Sequence, residues 1–194
     1  AERQKATGKE MIEAVIAGYE VALRTAWMKW RLAGEPPVAG TAGAYGAAAA
    51  AAKLLRLNVE QTSNALGICE AHCPHPSMED ILDHAAMTKE GCGWAAMTGV
   101  TAALLAKNGF GGPPTIYDSA AYDGKLLRTL GEEWEIEGLE FKPYSTCLGG
   151  HSPIDGVLEL TKENNLVAED ISKVTIGCSY IACQMTNRRP GNVW

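Results

Sequence analysis

The sequence predicts a mainly α-helical protein, in which an all-helical domain is followed by the start of a smaller α+β domain. Two observations within the first 130 residues predict the helical domain. A stretch of small residues at 40–57 favours a helix, and apolar residues elsewhere recur at helical spacing between capping signals. After Gly131, short segments alternate apolar and polar residues, as β-strands do. We therefore expect one domain at 1–131 and a second at 132–194.

The stretch at 40–57 has little side-chain bulk, because alanines fill positions 47–52 and glycines stand at 43 and 46. Alanine is the best helix former, so the helix itself is well supported. Its small surface leaves two interpretations, a central helix surrounded by bulkier ones or a helix whose first turn approaches a ligand. The second interpretation concerns only residues 40–43, where free N–H groups and the helix dipole favour an anion.

Capping signals and breakers delimit the other helices of the first domain. Thr7 and Glu10 form a capping box that begins a helix to about residue 32, which Gly34 and two prolines end. Asn58 caps a helix that runs to about residue 71 and ends before Pro74. Further helices are predicted at 77–87, 94–107 and 120–130.

The last third of the chain mixes strand and helix patterns. Alternation at 134–137 and 139–142 and β-branched residues at 174–181 predict strands. A helix is predicted at 153–163, with Ser152 as N-cap and Pro153 in the first position. Three strands are too few to form a complete α+β domain, so we interpret this unit as the beginning of such a domain.

Composition excludes several classes of protein. The hydrophobic share of 46% is ordinary for a globular protein, and a net charge of −6 without a basic stripe argues against nucleic-acid binding. No apolar run is long enough to span a membrane, and the charged opening does not resemble a signal peptide. The six scattered cysteines indicate free thiols, which predicts a cytoplasmic location or an organelle matrix.

Several segments, in order along nearly the whole chain, resemble the MmgE/PrpD family. They include GY at 18–19, GTAGAYGAAAAAA at 40–52, ALGI at 65–68, Lys89 with GWAAMTGVTAALLA at 93–106, GFGG at 109–112, and KPY at 142–144 with Cys147, His151 and Asp155. The family comprises 2-methylcitrate dehydratases, cis-aconitate decarboxylases and iminodisuccinate epimerases. The resemblance implies a large helical domain, a smaller α+β lid domain and no metal or organic cofactor. It also implies a homodimer and a chain of more than twice this length, so that this sequence looks like the middle part of such a protein.

The resemblance also indicates which residues carry chemistry. Lys142 is expected to bind a carboxylate and to move protons, and His151, in a turn before a helix, is a second proton carrier. Cys147 stands where decarboxylases of the family carry a histidine, and is either a proton donor or an inert thiol. For Lys142 and His151, a solvated lysine and a packing histidine remain the alternatives.

Four further positions complete the expected site. Lys89 matches a family lysine, whereas the histidine usual a few residues later is absent. Thr88, Thr41 and Tyr144 are expected to bind the substrate, although Thr41 has the alternative of capping its helix. Pro37 stands where many members have a proton-transferring histidine, which points to a divergent branch with another substrate.

A cluster of cysteine and histidine at Cys69, His72, Cys73 and His75 suggests a competing zinc site. Its spacing matches no standard zinc module, and Pro74 and Pro76 favour a loop that ends a helix. We therefore expect no metal ligand in this chain.

These observations predict a cofactor-independent lyase that acts on a small di- or tricarboxylate, such as 2-methylcitrate or cis-aconitate. Proton transfer next to a carboxylate develops negative charge that lysine and histidine can stabilise. An epimerase or isomerase of a dicarboxylate is the first alternative, and a non-catalytic helical scaffold is the second. The expected partners are the substrate and a second copy of the chain, or another chain that supplies the missing flanks, but neither nucleic acid nor membrane.

Overall fold

The computed structural model describes residues 1–33, 39–75 and 90–177, and within these ranges it is mainly α-helical. The predicted fold class is therefore confirmed for the helical domain. None of the described helices is both long and apolar enough to cross a lipid bilayer. The helices are α1 (Gly8–Ala33), α2 (Ala39–Leu55), α3 (Val59–His72), α4 (Cys92–Lys107) and α5 (His151–Glu163). The helix predicted at 77–87 lies outside the described residues.

The predicted capping box at Thr7 forms, and the predicted N-cap Asn58 forms a second capping box with Gln61. The Thr7 hydroxyl accepts from Glu10 N at 3.2 Å, while the Glu10 carboxylate accepts from Thr7 N at 2.8 Å. Asn58 Oδ1 accepts from Gln61 N at 2.8 Å, and the Gln61 side chain accepts from Asn58 N at 3.2 Å. Each box therefore satisfies two backbone N–H groups at the start of its helix.

The alanine-rich helix α2 lies at the centre of the helical domain and packs against α1, α3 and α4. Its small residues allow very close backbone approach. A Cβ atom added to Gly46 would lie only 2.6 Å from the Gly18 carbonyl oxygen of α1. One added to Gly99 of α4 would lie 2.6 Å from Ala48 N of α2. The first interpretation of the alanine stretch, a central packing helix, is confirmed.

Arg24, which is 2% exposed, joins α1 to the segment that follows α4. Its Nε donates to Glu20 Oε2 at 3.1 Å. The rest of its guanidinium donates to Leu126 O, to Thr129 Oγ1 at 3.0 Å and to Glu133 O at 2.6 Å. The α-helix predicted at 120–130 is wrong, because this segment instead forms a short 3-10 helix at Gly124–Thr129, in which the Leu126 carbonyl and the Thr129 hydroxyl accept from Arg24.

The strands predicted after residue 131 do not form in the described part of the chain. Residues Glu135–Gly138 form a 3-10 turn, and 139–143 and 174–177 are irregular. The N–H of Ile136 donates to Glu20 Oε1 at 2.9 Å, so a donor that a strand would need is held by α1. Positions 178–181 lie outside the described residues.

The described residues divide into two compact units. The first contains the described residues up to Leu139, and the second contains residues 140–177 with α5. The boundary predicted at residue 131 falls inside the first unit, because Glu20 and Arg24 bind the segment up to Ile136. The smaller α+β lid domain stays a prediction. Its helix starts earlier than predicted, at His151 with Gly150 as N-cap, since a 3-10 turn at Leu148–Gly150 leads directly into it.

Candidate functional site

The second unit brings two of the predicted catalytic residues to one backbone carbonyl. Lys142 Nζ donates to Thr146 O at 3.4 Å, and His151 Nε2 lies 3.4 Å from the same oxygen. His151 is buried at the start of α5, whereas Lys142 is exposed. A carbonyl oxygen only accepts, so this contact favours the tautomer with a proton on Nε2. An ammonium group and an imidazole are therefore held within one loop.

Tyr144 belongs to the same group of side chains. Its ring meets the His151 ring edge-on, with 5.4 Å between the centroids, and its hydroxyl donates to Asp155 Oδ1. This hydrogen bond to a carboxylate raises the pKa of Tyr144. Asp155 was not predicted as a site residue. The signal that identifies it is helical spacing, since Asp155 follows His151 by one turn of α5.

Cys147 lies between these residues and is exposed. Its carbonyl accepts from Gly150 N at 2.9 Å, which closes the turn that carries the chain into α5. The thiol and the His151 imidazole therefore flank one short turn. A chemical role for Cys147 stays a prediction.

The predicted site residues of the first unit either hydrogen-bond to other parts of the protein or lie outside the described ranges. Thr41, at the start of α2, is buried and donates its hydroxyl to Pro74 O at 2.7 Å. The Gly40 N–H donates to Glu90 O at 3.0 Å. These two donors are thus already used at the first turn of α2. Thr88, Lys89 and Pro37 lie outside the described residues.

A polar cluster that the sequence did not reveal lies between α1, α2 and α3. Glu70 Oε2 accepts from the hydroxyls of Tyr45 and Tyr122 and from Lys29 Nζ at 3.0 Å. The Lys29 ammonium also donates to Tyr45 Oη at 2.9 Å and lies 5.1 Å from the centroids of both tyrosine rings. Three residues from distant parts of the sequence thus donate to one carboxylate oxygen of Glu70.

Burial and hydrogen bonds shift the proton affinities in this polar cluster. Burial, together with hydrogen bonds to Glu70, raises the pKa of Tyr45 and of Tyr122. Burial by itself would raise the pKa of Glu70, but hydrogen bonds from Tyr122, Tyr45 and Lys29 outweigh it and lower the pKa. At neutral pH the cluster therefore holds a carboxylate, an ammonium and two neutral phenols.

The cluster continues from Tyr45 to the loop after α3. Cys73, whose thiol is buried, lies with Sγ 3.8 Å from Tyr45 Oη and 3.1 Å from His75 Nε2. Burial raises the pKa of Cys73, and the nearby Lys29 ammonium only partly offsets this. The thiol is therefore protonated at neutral pH, and His75 is the exposed end of the array.

Of the four residues considered for zinc, Cys73 and His75 are in contact, but Cys69 and His72 have other surroundings. Cys69 is buried and donates to Ala44 O at 3.5 Å, while His72 is exposed on α3. In the three ranges that the structure describes, no three histidine, cysteine or acidic side chains are placed to hold a metal ion.

Glu70 is expected to make stability depend on acid pH. Its pKa is lower in the folded protein, so its stabilisation is complete above the ordinary glutamate range and is lost as pH falls through the folded pKa. We expect the melting temperature of Glu70→Gln to fall less than that of the wild type between about pH 5 and pH 3. Thermal unfolding monitored by circular dichroism measures this. Glu60→Gln, on the exposed side of α3, is the control, and parallel curves for wild type and Glu70→Gln would contradict the assignment.

A groove of about 170 Å³ lies between the start of α1 and the end of α2. Its charged side chains pair with one another, since Lys53 lies 3.4 Å from Glu13 and Arg56 lies 3.2 Å from Glu10. It contains none of the predicted site residues, and we do not assign it a function.

Comparison with known proteins identifies the family. The family model described as the MmgE/PrpD N-terminal domain matches residues 1–133, which is most of the chain. No curated protein matches the sequence. The matched region covers the helical domain built around α2, together with the segment that Arg24 binds. On this match, the chain belongs to the MmgE/PrpD family.

Proposed function

We propose that this protein is a cofactor-independent lyase of the dehydratase or decarboxylase type, acting on a small di- or tricarboxylate such as 2-methylcitrate or cis-aconitate. Members of the MmgE/PrpD family are dehydratases and other lyases. The observation that supports the proposal is the approach of Lys142 and His151 to one carbonyl oxygen, each at 3.4 Å. This arrangement places the Lys142 ammonium, which can bind a carboxylate, near an imidazole that can donate or accept a proton.

In this proposal the two side chains have different roles. Lys142 binds a substrate carboxylate and stabilises the negative charge that develops next to it. His151, whose Nε2–H is directed to Thr146 O, exchanges a proton through Nδ1. In dehydration a base takes the proton on carbon, the C–H electrons form the double bond, and the hydroxyl leaves as water after protonation. Tyr144, Thr41, Thr88 and Lys89 are the further substrate-binding and catalytic candidates.

A dicarboxylate epimerase or isomerase is the second candidate. It is favoured by the exposed thiol of Cys147, which flanks the same short turn as His151. If one of these two side chains removes a proton from one face of the carbon and the other delivers a proton to the opposite face, the configuration at that carbon is inverted without loss of water.

A panel of small acids tests the proposal. We expect the intact protein to convert at least one of 2-methylcitrate, cis-aconitate and related di- and tricarboxylates, with products quantified by chromatography. Dehydration, decarboxylation and epimerisation give products that this separation distinguishes. If no member of the panel is converted, the lyase proposal fails, and a stable inactive dimer would favour the helical scaffold.

We also propose that a second copy of the chain covers α4. Its small residues, among them Ala95 and Gly99, face the interior, whereas Trp94, Met97 and Leu104 are exposed. Ordinary surface helices show the opposite arrangement, so a further protein surface is expected here. Light scattering should give twice the mass of one chain, and Leu104→Glu should give a monomer. The exposed substitution Lys107→Glu on the same helix is the control, and a monomeric wild type would contradict the proposal.

A further inference from the structure

The polar cluster of the first unit has an exposed end that the proposed site does not use. Its members form a continuous series of hydrogen-bonding groups, from the Glu70–Lys29 ion pair through Tyr45 and Cys73 to His75. Glu70 and Lys29 are partly buried, Tyr45 and Cys73 are buried, and His75 is exposed. A partly buried ion pair is thus connected, through a buried tyrosine and a buried thiol, to an imidazole at the surface.

The donors in this series can all point inward. The Tyr45 hydroxyl donates to Glu70, and the Cys73 thiol lies in position to donate to Tyr45 Oη. With the thiol proton so directed, the sulfur accepts from His75 Nε2–H at 3.1 Å. This arrangement satisfies every donor in the series and leaves the lone pair on Nδ1 available. The neutral imidazole is therefore in the tautomer that a base requires.

The same arrangement accommodates the protonated imidazole. When Nδ1 takes up a proton, the bond from Nε2–H to Cys73 Sγ is unchanged, and no donor loses its acceptor. Among the described residues, the other titratable groups beside the series are Tyr122, which donates to Glu70, Tyr117, whose ring meets that of Tyr122 edge-on, and Cys69, which is buried on α3.

The backbone next to His75 is also fixed. The carbonyl of Pro74 accepts from the Thr41 hydroxyl at 2.7 Å, which ties the loop after α3 to the first turn of α2. His75 is therefore held from two directions, through its ring by Cys73 and through its neighbour by Thr41. A positioned, exposed imidazole with a defined tautomer is what general acid–base catalysis requires.

We propose that His75 is a proton-transfer group of this protein, with Cys73, Tyr45 and Glu70 as positioning residues. The inference rests on the proposed function, because a reaction next to a carboxylate requires a base and an acid, and His75 supplies one of these roles. As a base, Nδ1 takes the proton from carbon, the C–H electron pair stays on the substrate, and the imidazolium later returns that proton.

Kinetics provide the first test. With an acid from the panel that the wild type converts, His75→Gln should lower kcat about 10²–10⁴-fold while KM changes little. Cys73→Ala should move the pH profile of kcat/KM, which a purely structural role for the thiol would not do. His72→Gln, an exposed histidine at the end of α3, is the matched control and should retain the wild-type rate. A His75→Gln variant with the wild-type rate and pH profile overturns the inference and leaves the lyase proposal intact.

An NMR titration separates failure of this inference from failure of the proposed function. The His75 Cε1–H signal is assigned by its loss in His75→Gln, and Cys73→Ala is expected to shift it, because the thiol is in contact with the ring. If the wild type converts no acid, the lyase proposal fails, and addition of citrate then decides the role of His75. A citrate-dependent change of the His75 signal supports a carboxylate beside this imidazole. A signal that citrate leaves unchanged, or that is the same in Cys73→Ala, overturns the inference.

Discussion

Arg24→Ala is expected to destabilise the protein by about 3–5 kcal/mol, the range for breaking a buried ion pair by removing one partner. The substitution leaves the Glu20 carboxylate, which is almost fully buried, without its positive partner. It also removes the donors to Leu126 O, Thr129 Oγ1 and Glu133 O. The part of this segment from Leu126 to Ile136 would then keep the bond between Glu20 and the N–H of Ile136 but lose its three bonds to the guanidinium.

Urea unfolding of wild type and variant measures this loss. Arg31→Ala is the matched control, because Arg31 is on the same helix but is exposed and lies 4.0 Å from Asp123. We expect Arg31→Ala to lower the free energy of unfolding by less than about 1 kcal/mol. The loss for Arg24→Lys should lie between those for Arg31→Ala and Arg24→Ala, since lysine restores the charge but not the planar set of donors. A cost below about 1 kcal/mol for Arg24→Ala would contradict the role given to this residue.

Lys142→Ala is expected to lower kcat/KM about 10²–10³-fold on an acid that the wild type converts, the usual effect of removing one group that stabilises developing charge. Lys142 is exposed and makes one long hydrogen bond, 3.4 Å to Thr146 O, so its ammonium is available to a ligand. The same exposure means that the substitution should leave the free energy of unfolding nearly unchanged. Loss of activity without loss of stability would identify a functional lysine.

Steady-state kinetics with two further variants show whether the positive charge of Lys142 is what matters and whether the effect is specific to this lysine. Lys142→Arg keeps the charge and should retain more activity than Lys142→Ala if carboxylate binding is the main role. Lys162→Ala, in the last turn of α5, removes a lysine of the same unit that the proposal does not use. Equal rates for wild type and Lys142→Ala would remove Lys142 from the proposed mechanism.

Local signals explain which parts of the fold were predictable. The capping boxes at Thr7 and Asn58 and the alanine stretch act within a few residues, and the helices that they predict are present. The segment at 120–136 was predicted wrongly, because its conformation depends on Arg24 and Glu20, which lie about a hundred positions earlier. Propensity and periodicity do not report such long-range hydrogen bonds.

The candidate sites divide in a similar way. Lys142, Tyr144, Cys147 and His151 lie close together in the sequence, so the resemblance to the family could indicate them together, and their chemical roles stay predictions. The polar cluster joins Lys29, Tyr45, Glu70 and Tyr122 from separate elements, so no sequence spacing indicates it. The connection of Glu70 to His75 is visible only when the packing of α1, α2 and α3 brings these side chains together.

Proton transfer next to a carboxylate is the central claim, and deuterium exchange measures it most directly. Wild-type protein is incubated in D₂O with 2-methylcitrate, cis-aconitate and related acids, and the C–H signals of each acid are followed by proton NMR. Exchange reports reversible proton removal even where no net product accumulates. We predict that at least one acid loses the signal of a proton next to a carboxylate. In Lys142→Ala this exchange should be absent or much slower. Unchanged spectra across the whole panel with folded protein would contradict the account.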